Sequence, residues 1–211
     1  RGSVRSLSKS QKVIDAIQKE VDPKDNLEIC ELNLLSDDGW DAAMKDCEFV
    51  LHVASPYIAN EPKDENEYIR PAVDGTMRAL KAAKKAGVKR VVLTSSMVSM
   101  LGDSNKSIDV TPESWTNVTA KNTSAYSKSK TLAERAAWDF IHAQTDAAPL
   151  ELAVVNPGPV FGPTLSGDLS GASMDMFMQM LTGKMPMVPQ AKINMSDVRD
   201  IAKIHVLALE N

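Results

Sequence analysis

The chain has 211 residues, of which 43% are apolar and 25% charged, and its formal net charge is −4. This balance is ordinary for a soluble globular protein and gives no reason to expect nucleic acid or a membrane as a partner; no apolar run approaches the roughly 18 residues that cross a bilayer. Cys30 and Cys47 are the only cysteines and lack metal-ligand spacing, so we expect a cytoplasmic protein without a disulfide or a bound metal.

Apolar runs and helical patterns alternate along the chain. A predicted strand from Gly2 to Arg5 precedes a helical pattern over residues 10–21, and a strand from Leu27 to Leu32 follows. The next predicted strands are Glu48 to Ala54 and Arg90 to Ser95. Their runs EFVLHVA and RVVLTS are nearly continuous and rich in Val and Leu, which predicts strands covered on both faces of a parallel sheet.

Longer helical patterns occupy residues 64–86 and 124–144. The first ends at Gly87, a C-terminal stop signal, and the second precedes a predicted strand from Glu151 to Asn156. Asp197 is placed to cap a last helix. Strands that alternate with helices predict an α/β fold with right-handed crossovers.

The composition changes near residue 157, where the stretch NPGPVFGPTLSGDLSGAS is rich in Gly, Pro and Ser and predicts the start of a second region. The next stretch, SMDMFMQMLTGKMPMVP, holds six of the eleven methionines. Methionine is flexible and polarizable, so it suits a pocket that adapts to hydrophobic substrates. Its more common use is to fill the core side of a helix.

Tyr126 and Lys130 are four residues apart at the start of a helical pattern, so they share one face of the helix. An ammonium about 5 Å from a phenol favours the phenolate by roughly 3 kcal/mol, or about 2 pKa units, at an effective dielectric near 20. This pairing predicts a tyrosine capable of general acid–base work. The alternative is a chance pair on a solvated face.

Ser96 follows a buried strand that ends in Thr94 and Ser95. Ligands of parallel sheets lie outside the carboxyl ends of the strands. A hydroxyl there is placed to bind the same substrate oxygen that Tyr126 protonates. The alternative is a turn serine that only caps the strand end.

The order and spacing of these motifs resemble the extended short-chain dehydrogenase/reductase family. The motifs HVASP, DGTMRALKAAKKAGVKRVVLTSSM, SKTLAERAAWDF and NPGPVFGP are most similar to its branch of dihydroflavonol, cinnamoyl-CoA and aldehyde reductases. The resemblance implies a Rossmann-type doubly wound parallel sheet. It also implies that Tyr126 donates a proton to a substrate carbonyl, that Lys130 binds the nicotinamide ribose and lowers the tyrosine pKa, and that Ser96 binds the carbonyl oxygen.

The same resemblance implies NADP(H) as the cofactor. Arg5 ends the strand at which this branch reads the 2′-phosphate, its guanidinium suits a phosphate, and Lys12 adds charge. The alternative is that both are ordinary solvated charges. The resemblance implies further cofactor contacts. Asn33 and Leu34 would lie beside the adenine, and Val53, Ala54 and Ser55 would pass close to the cofactor at the end of the third predicted strand. Pro157 and Val160 would border the nicotinamide amide, and Ser173 would reach the pyrophosphate. Asn33 departs from the family's usual aspartate.

The family's Gly-rich turn and the strand before it have no counterpart here. We therefore expect a chain truncated at both ends, whose sheet lacks its first strand. The expected regions are a dinucleotide-binding domain over residues 1–156, the start of a substrate lobe over residues 157–196, and a returning helix over residues 197–211. In the strand order 3-2-1-4-5-6 the first strand is central, so two apolar edges are expected to lie unpaired, with weak NADP(H) binding and aggregation as consequences.

Three functions are compatible with these motifs. The motifs favour an NADP(H)-dependent reductase that acts on a small aldehyde, ketone or dihydroflavonol-like substrate. A nucleotide-sugar epimerase or dehydratase is the second, but such enzymes usually carry Tyr-Gly soon after the serine, where this chain reads SSMVSMLGD. The third is a catalytically silent dinucleotide-binding regulator, which would usually lack the intact set of Ser96, Tyr126 and Lys130.

Overall fold

The computed structural model describes residues 1–56, 62–102, 109–185, 187 and 194–211. Seven strands are present among these residues: β1 Gly2–Val4, β2 Ile29–Glu31, β3 Phe49–His52, β4 Arg90–Thr94, β5 Glu151–Val155, β6 Val160–Phe161 and β7 Ser196–Asp197. The α-helices are α1 Ser10–Gln18, α2 Trp40–Met44, α3 Asn66–Lys85, α4 Ala125–His142, α5 Ala172–Leu181 and α6 Val198–Glu210. The five predicted strands and four predicted helices are all found, and the fold is α/β as predicted.

The strands form parallel pairs in separate sheets. β1 pairs with β2, and β3, β4 and β5 form a second sheet in that order, with β4 in the centre. Within the described ranges, no ladder joins β1 to β3. A cavity of about 510 Å³ separates them, lined by Gly2 and Ser3 on one side and residues 49–54 on the other. This arrangement agrees with the predicted doubly wound sheet that lacks its first strand.

The main core lies between β4 and the two long helices. Val91, Val92 and Leu93 are almost completely buried, as the run RVVLTS predicts. Val91 and Leu93 pack with residues of α3 and α4 such as Leu80 and Ala137. The same prediction for EFVLHVA is wrong, because Leu51 and Val53 are 42% and 59% exposed. β3 lies at the edge of its sheet. Leu51 in β3 and Val53 just after it border the cavity, and this face is not covered.

The last helix returns to the central sheet. Asp197 caps α6 by accepting a hydrogen bond from the backbone N–H of Arg199, as predicted, and the Arg199 side chain lowers the pKa of Asp197 to about 2. At the other end of α6, the Arg90 guanidinium donates to the carbonyls of Ala208 and Leu209. No helix in the described part of the chain has the length and apolar character that a membrane crossing requires.

Gly75 lets α3 approach the loop after β2. A Cβ at this position would lie 2.6 Å from Leu34 Cδ2 and 3.0 Å from Leu34 Cβ. Rotating the leucine side chain relieves only the first contact, because its Cβ is fixed to the backbone. The close approach therefore requires a residue without a side chain.

Gly75→Ala is expected to lower the free energy of unfolding by up to about 2 kcal/mol. Overpacking costs about 1–3 kcal/mol, which exceeds the gain of about 1 kcal/mol in helix propensity. Urea denaturation of Gly75→Ala and of the double variant with Leu34→Ala measures the effect, and the second substitution should recover part of the loss. A Gly75→Ala protein more stable than the parent would show that Leu34 moves freely.

Candidate active site

The carboxyl end of β4 continues into a tight turn that presents Ser96. A 3₁₀ turn spans Met97–Ser99, and the Ser96 hydroxyl caps it by accepting from the Val98 N–H at 3.4 Å. The Met97 N–H donates to the Pro157 carbonyl at 2.9 Å, which joins this turn to the chain after β5. Ser96 is only 8% exposed. Ser96 therefore caps the turn after β4 and also lies next to Tyr126.

The N-terminus of α4 brings the predicted pair to this turn. Ser124 caps the helix by accepting from the Ser127 N–H at 3.1 Å, and Lys128 forms an ion pair with Glu65 at 2.6 Å. These contacts fix where the helix starts. Tyr126 and Lys130 then follow on the face that packs against the carboxyl end of β4.

Tyr126 is held against Ser96 in a largely apolar setting. Burial is the main influence on its phenol and raises the pKa, while a side-chain hydrogen bond with Ser96 acts in the opposite direction. The Tyr126 ring packs edge-to-face on Tyr68 with centroids 6.0 Å apart. The resemblance implied a lowered pKa for Tyr126, but its net pKa is raised, because burial outweighs the influences that favour the phenolate.

The Lys130 side chain is directed towards the end of β4. Its ammonium donates to the Thr94 carbonyl at 3.3 Å, and the side chain is buried. Burial lowers its pKa to about 8, and the Glu134 carboxylate acts against this shift. At neutral pH the ammonium is therefore still mostly charged, although its energy is higher than in water.

Sequence reasoning missed Glu134, which lies on the same helix face one turn after Lys130. Its Oε2 accepts hydrogen bonds from Ser95 Oγ at 2.5 Å, Ser99 Oγ at 2.7 Å and Asn156 Nδ2 at 2.8 Å. The residue is 6% exposed. The spacing of Tyr126, Lys130 and Glu134 at i, i+4 and i+8 was a signal that would have found it.

His52, at the end of β3, lies close enough to Lys130 for their charges to interact. Burial and, to a smaller extent, the nearby Lys130 ammonium lower its pKa to about 4. The imidazole is therefore neutral at pH 7.

The residues predicted to border the cofactor after β3 are divided between two cavities. Ala54 and Ser55 line a narrow cleft together with Lys130, Thr94 and Glu134. Val53 lines the larger cavity between β1 and β3, which Ala54 also borders. The chain after β3 thus runs from the open cavity to the buried Lys130.

The two predicted phosphate ligands have different surroundings. Arg5 is exposed just after β1 and, within the described residues, has no hydrogen bond or ion pair. Lys12 pairs with Asp168 at 3.1 Å, and the two side chains are 60% and 46% exposed, so the pair is weak. Arg5 is therefore the better placed of the two for a phosphate.

The two residues predicted to lie beside the adenine, Asn33 and Leu34, each accept a hydrogen bond in the loop after β2. Asn33 is exposed, and its Oδ1 accepts from the Leu35 N–H at 3.0 Å in a local turn. Leu34 borders the large cavity, and its carbonyl accepts from Arg78 at 2.7 Å. The cavity side of this loop is apolar and suits a flat ring.

The chain after β5 brings three further predicted residues together. Pro157 contacts the Ser96 turn through its carbonyl, as described above. The Val160 N–H donates to Ser173 Oγ at 3.1 Å, so these two residues share one local contact. Next to them, Phe161, Met174, Phe177 and Met195 line a second, mainly apolar cavity of about 540 Å³.

The methionine-rich helix is not a core helix. Phe177, Met178, Met180 and Leu181 are 40–65% exposed, and α5 has no residue among the buried core of the described chain. The interpretation that its methionines fill the core is therefore wrong. One side of α5 lines the apolar cavity and the other faces solvent.

Comparison with protein families gives a match over residues 3–211 to the NAD dependent epimerase/dehydratase family. The chain is 33% identical to the cinnamoyl-CoA reductase CAD2 of Medicago truncatula over its whole length, covering 64% of that protein. It is 32% identical to the NADPH-dependent methylglyoxal reductase GRE2 of Saccharomyces cerevisiae over 99% of its length, covering 66% of that protein. The chain thus spans just under two thirds of these relatives.

Solved structures show the same fold. The yeast methylglyoxal/isovaleraldehyde reductase Gre2, crystallised with NADPH, matches all of this chain with a TM-score of 0.79 and 31% identity, over 66% of its own length. The Candida albicans Gre2, also in complex with NADPH, matches with a TM-score of 0.81 and 28% identity, again over 66% of its length. These matches confirm the predicted Rossmann-type fold.

Proposed function

The chain belongs to the NAD dependent epimerase/dehydratase family, and from this premise we propose that it is the core of an NADP(H)-dependent reductase of small carbonyl compounds. The observation that carries the proposal is that the Tyr126 phenol contacts Ser96, while Lys130, one turn later on α4, holds its ammonium at the end of β4. A proton donor, a hydroxyl and a cation then lie at the carboxyl end of a parallel strand, where substrates of such sheets bind.

Each residue has a defined part in the reduction. Ser96 donates a hydrogen bond to the carbonyl oxygen, and Tyr126 transfers its proton to that oxygen as negative charge develops there. The raised pKa of Tyr126 keeps the proton on the phenol at neutral pH, so the acid form is the one present. The Lys130 ammonium stabilises the phenolate that remains. Bound NADPH supplies the hydride that adds to the carbonyl carbon.

The residues around the large cavity fit such a dinucleotide. Leu34 borders the cavity, and Ala54 and Ser55 lead from it to Lys130. Arg5, just after β1, offers for a phosphate a guanidinium that has no partner among the described residues. The relatives named above are described as NADPH-dependent or are crystallised with NADPH. We therefore assign residues 1–156 to the cofactor, residues 157–196 to the start of a substrate lobe and residues 197–211 to the returning helix.

The apolar cavity beside α5 favours a substrate with a hydrophobic body. Among the described residues that line it, Phe161, Met174, Phe177 and Met195 are apolar, and Asp197 alone carries a charge. Oxidation of NADPH by the full-length protein that carries this sequence, followed at 340 nm against short aldehydes, aryl ketones and dihydroflavonols, tests the proposal. Failure to turn over any carbonyl compound with either NADPH or NADH would refute it.

Arg5→Ser is expected to weaken NADPH binding by about 10- to 100-fold and to leave NADH binding within a factor of about three. A charge-assisted contact to a phosphate contributes about 1.5–3 kcal/mol, and NADH has no 2′-phosphate to lose. Quenching of intrinsic fluorescence by each nucleotide measures both affinities. Lys12→Ser is the matched control with a smaller expected loss, and equal losses for the two nucleotides would contradict the assignment of Arg5.

A further inference from the structure

Glu134 binds together three separate segments near the active site. Its donors come from the end of β4 (Ser95), from the turn after it (Ser99) and from the end of β5 (Asn156), and all three reach the same oxygen, Oε2. Asn156 Nδ2 also contacts Ser99 Oγ at 2.9 Å and the Ser96 carbonyl at 3.3 Å. The turn that carries Ser96 is therefore tied to α4 through one carboxylate.

We propose that Glu134 is a positioning residue of the active site, which fixes the turn that carries Ser96 and stabilises the Lys130 ammonium through its negative charge. The inference rests on the proposed function for the roles of Ser96 and Lys130. Glu134 lies within the motif SKTLAERAAWDF, but neither the resemblance nor the motif spacing gave it a role. Glu134 touches none of the reacting atoms and acts only through its neighbours.

The charges around Lys130 single out Glu134 as its counter-ion. From β3, His52 faces Lys130 and is neutral at pH 7 because burial lowers its pKa to about 4. From α3, Ala72 and Thr76 border the cleft and carry no charge. The phenol of Tyr126 is neutral. Within the part of the chain that is described, Glu134 is the carboxylate whose charge favours the protonated form of Lys130.

Glu134→Gln separates charge from geometry. The amide oxygen can accept the same three hydrogen bonds, whereas the negative charge is lost. We expect the alkaline limb of the kcat–pH profile to move down by roughly one pH unit, because an opposite charge within about 4–6 Å shifts a pKa by about that much. At pH 9 this gives a roughly tenfold lower kcat in the full-length protein. Glu134→Asp keeps the charge and should leave the limb near its original position.

Ser99→Ala is the matched control, because it removes one hydrogen bond to Glu134 without changing any charge. It is expected to lower kcat or stability while the alkaline limb stays in place. If Glu134→Gln lowered kcat equally at every pH, Glu134 would have a structural role alone, and the electrostatic part of the inference would fail.

A measurement that does not depend on catalysis distinguishes failure of the Glu134 inference from failure of the proposed reductase function. The ε-methylene NMR resonance of Lys130, assigned by its absence from Lys130→Met, reports the titration of the amine directly. It should titrate at lower pH in Glu134→Gln than in the parent. An unshifted titration overturns the inference about Glu134 even in an active enzyme. A shifted titration with no change in the pH profile of kcat would instead refute the catalytic role of Lys130.

Discussion

Tyr126→Phe is expected to lower kcat for carbonyl reduction by about 10²- to 10⁴-fold, the usual contribution of a positioned general acid. The substitution removes one oxygen atom and keeps the ring that packs edge-to-face on Tyr68. Because that packing remains, the free energy of unfolding and the affinity for NADPH should change little. Steady-state oxidation of NADPH by the full-length protein measures the loss.

Comparison with Ser96→Ala tests the separate roles at the carbonyl oxygen, which are proton transfer by Tyr126 and a hydrogen bond from Ser96. Ser96 contributes a hydrogen bond and no proton, so its loss should reduce kcat by a smaller factor than the loss of Tyr126, about 10- to 100-fold. Both variants should bind NADPH normally in a fluorescence titration. Full activity of Tyr126→Phe would end the assignment of the proton donor, whatever the effect at Ser96.

Lys130→Met is expected to abolish most of the activity and to change how stability depends on pH. The pKa of Lys130 is about 8 in the folded protein, against 10.5 for an unperturbed lysine, because the ammonium is buried. Between these two values the unfolded chain binds more protons than the folded one. Stability therefore rises as the pH increases from about 8 towards 10.5, and the penalty for the buried charge is fully present below pH 8.

The size of this effect follows from the shift. A difference of about two and a half pKa units corresponds to about 3 kcal/mol in the free energy of unfolding. Urea denaturation between pH 7 and pH 9.5 covers the lower half of the window, in which the parent should gain stability that Lys130→Met does not gain. Tyr126 opposes this trend only near pH 10 and above, because its folded pKa is raised.

Lys203→Met is the matched control for that experiment. Lys203 is an exposed lysine on the helix α6. Its replacement should leave the slope of stability against pH unchanged. If Lys130→Met and Lys203→Met had the same slope as the parent, Lys130 would be solvated in solution and its placement here would be incorrect.

Much of the fold was readable from local patterns. The runs around Val91 and Val154 predicted parallel strands, and the stop at Gly87 and the cap at Asp197 predicted helix ends that the structure confirms. The catalytic candidates could also be identified from the sequence, because residues four apart on a helix share a face and strand ends in parallel sheets meet at one edge. The order of the motifs then indicated the family that the comparison confirms.

Local patterns failed where the outcome depended on what lies across the structure. The run containing Leu51 looked like a buried strand, but β3 is an edge strand beside a cavity. The methionines of α5 looked like core residues, but within the described part of the chain their outer side is exposed. Lys12 looked free for a phosphate, yet its ammonium pairs with Asp168, 156 residues away in the sequence.

The sequence by itself determined which side chains share a helix face and which strand ends carry hydroxyls, because periodicity and chain order encode those facts directly. Only the tertiary structure decided the charge state of the site. The pKa of Tyr126 is raised and that of Lys130 lowered because the packing of α4 on β4 removes both groups from water. Glu134 became part of the site because Ser95, Ser99 and Asn156 converge on it from distant segments. Desolvation and long-range hydrogen bonds of this kind depend on contacts that a linear pattern does not contain.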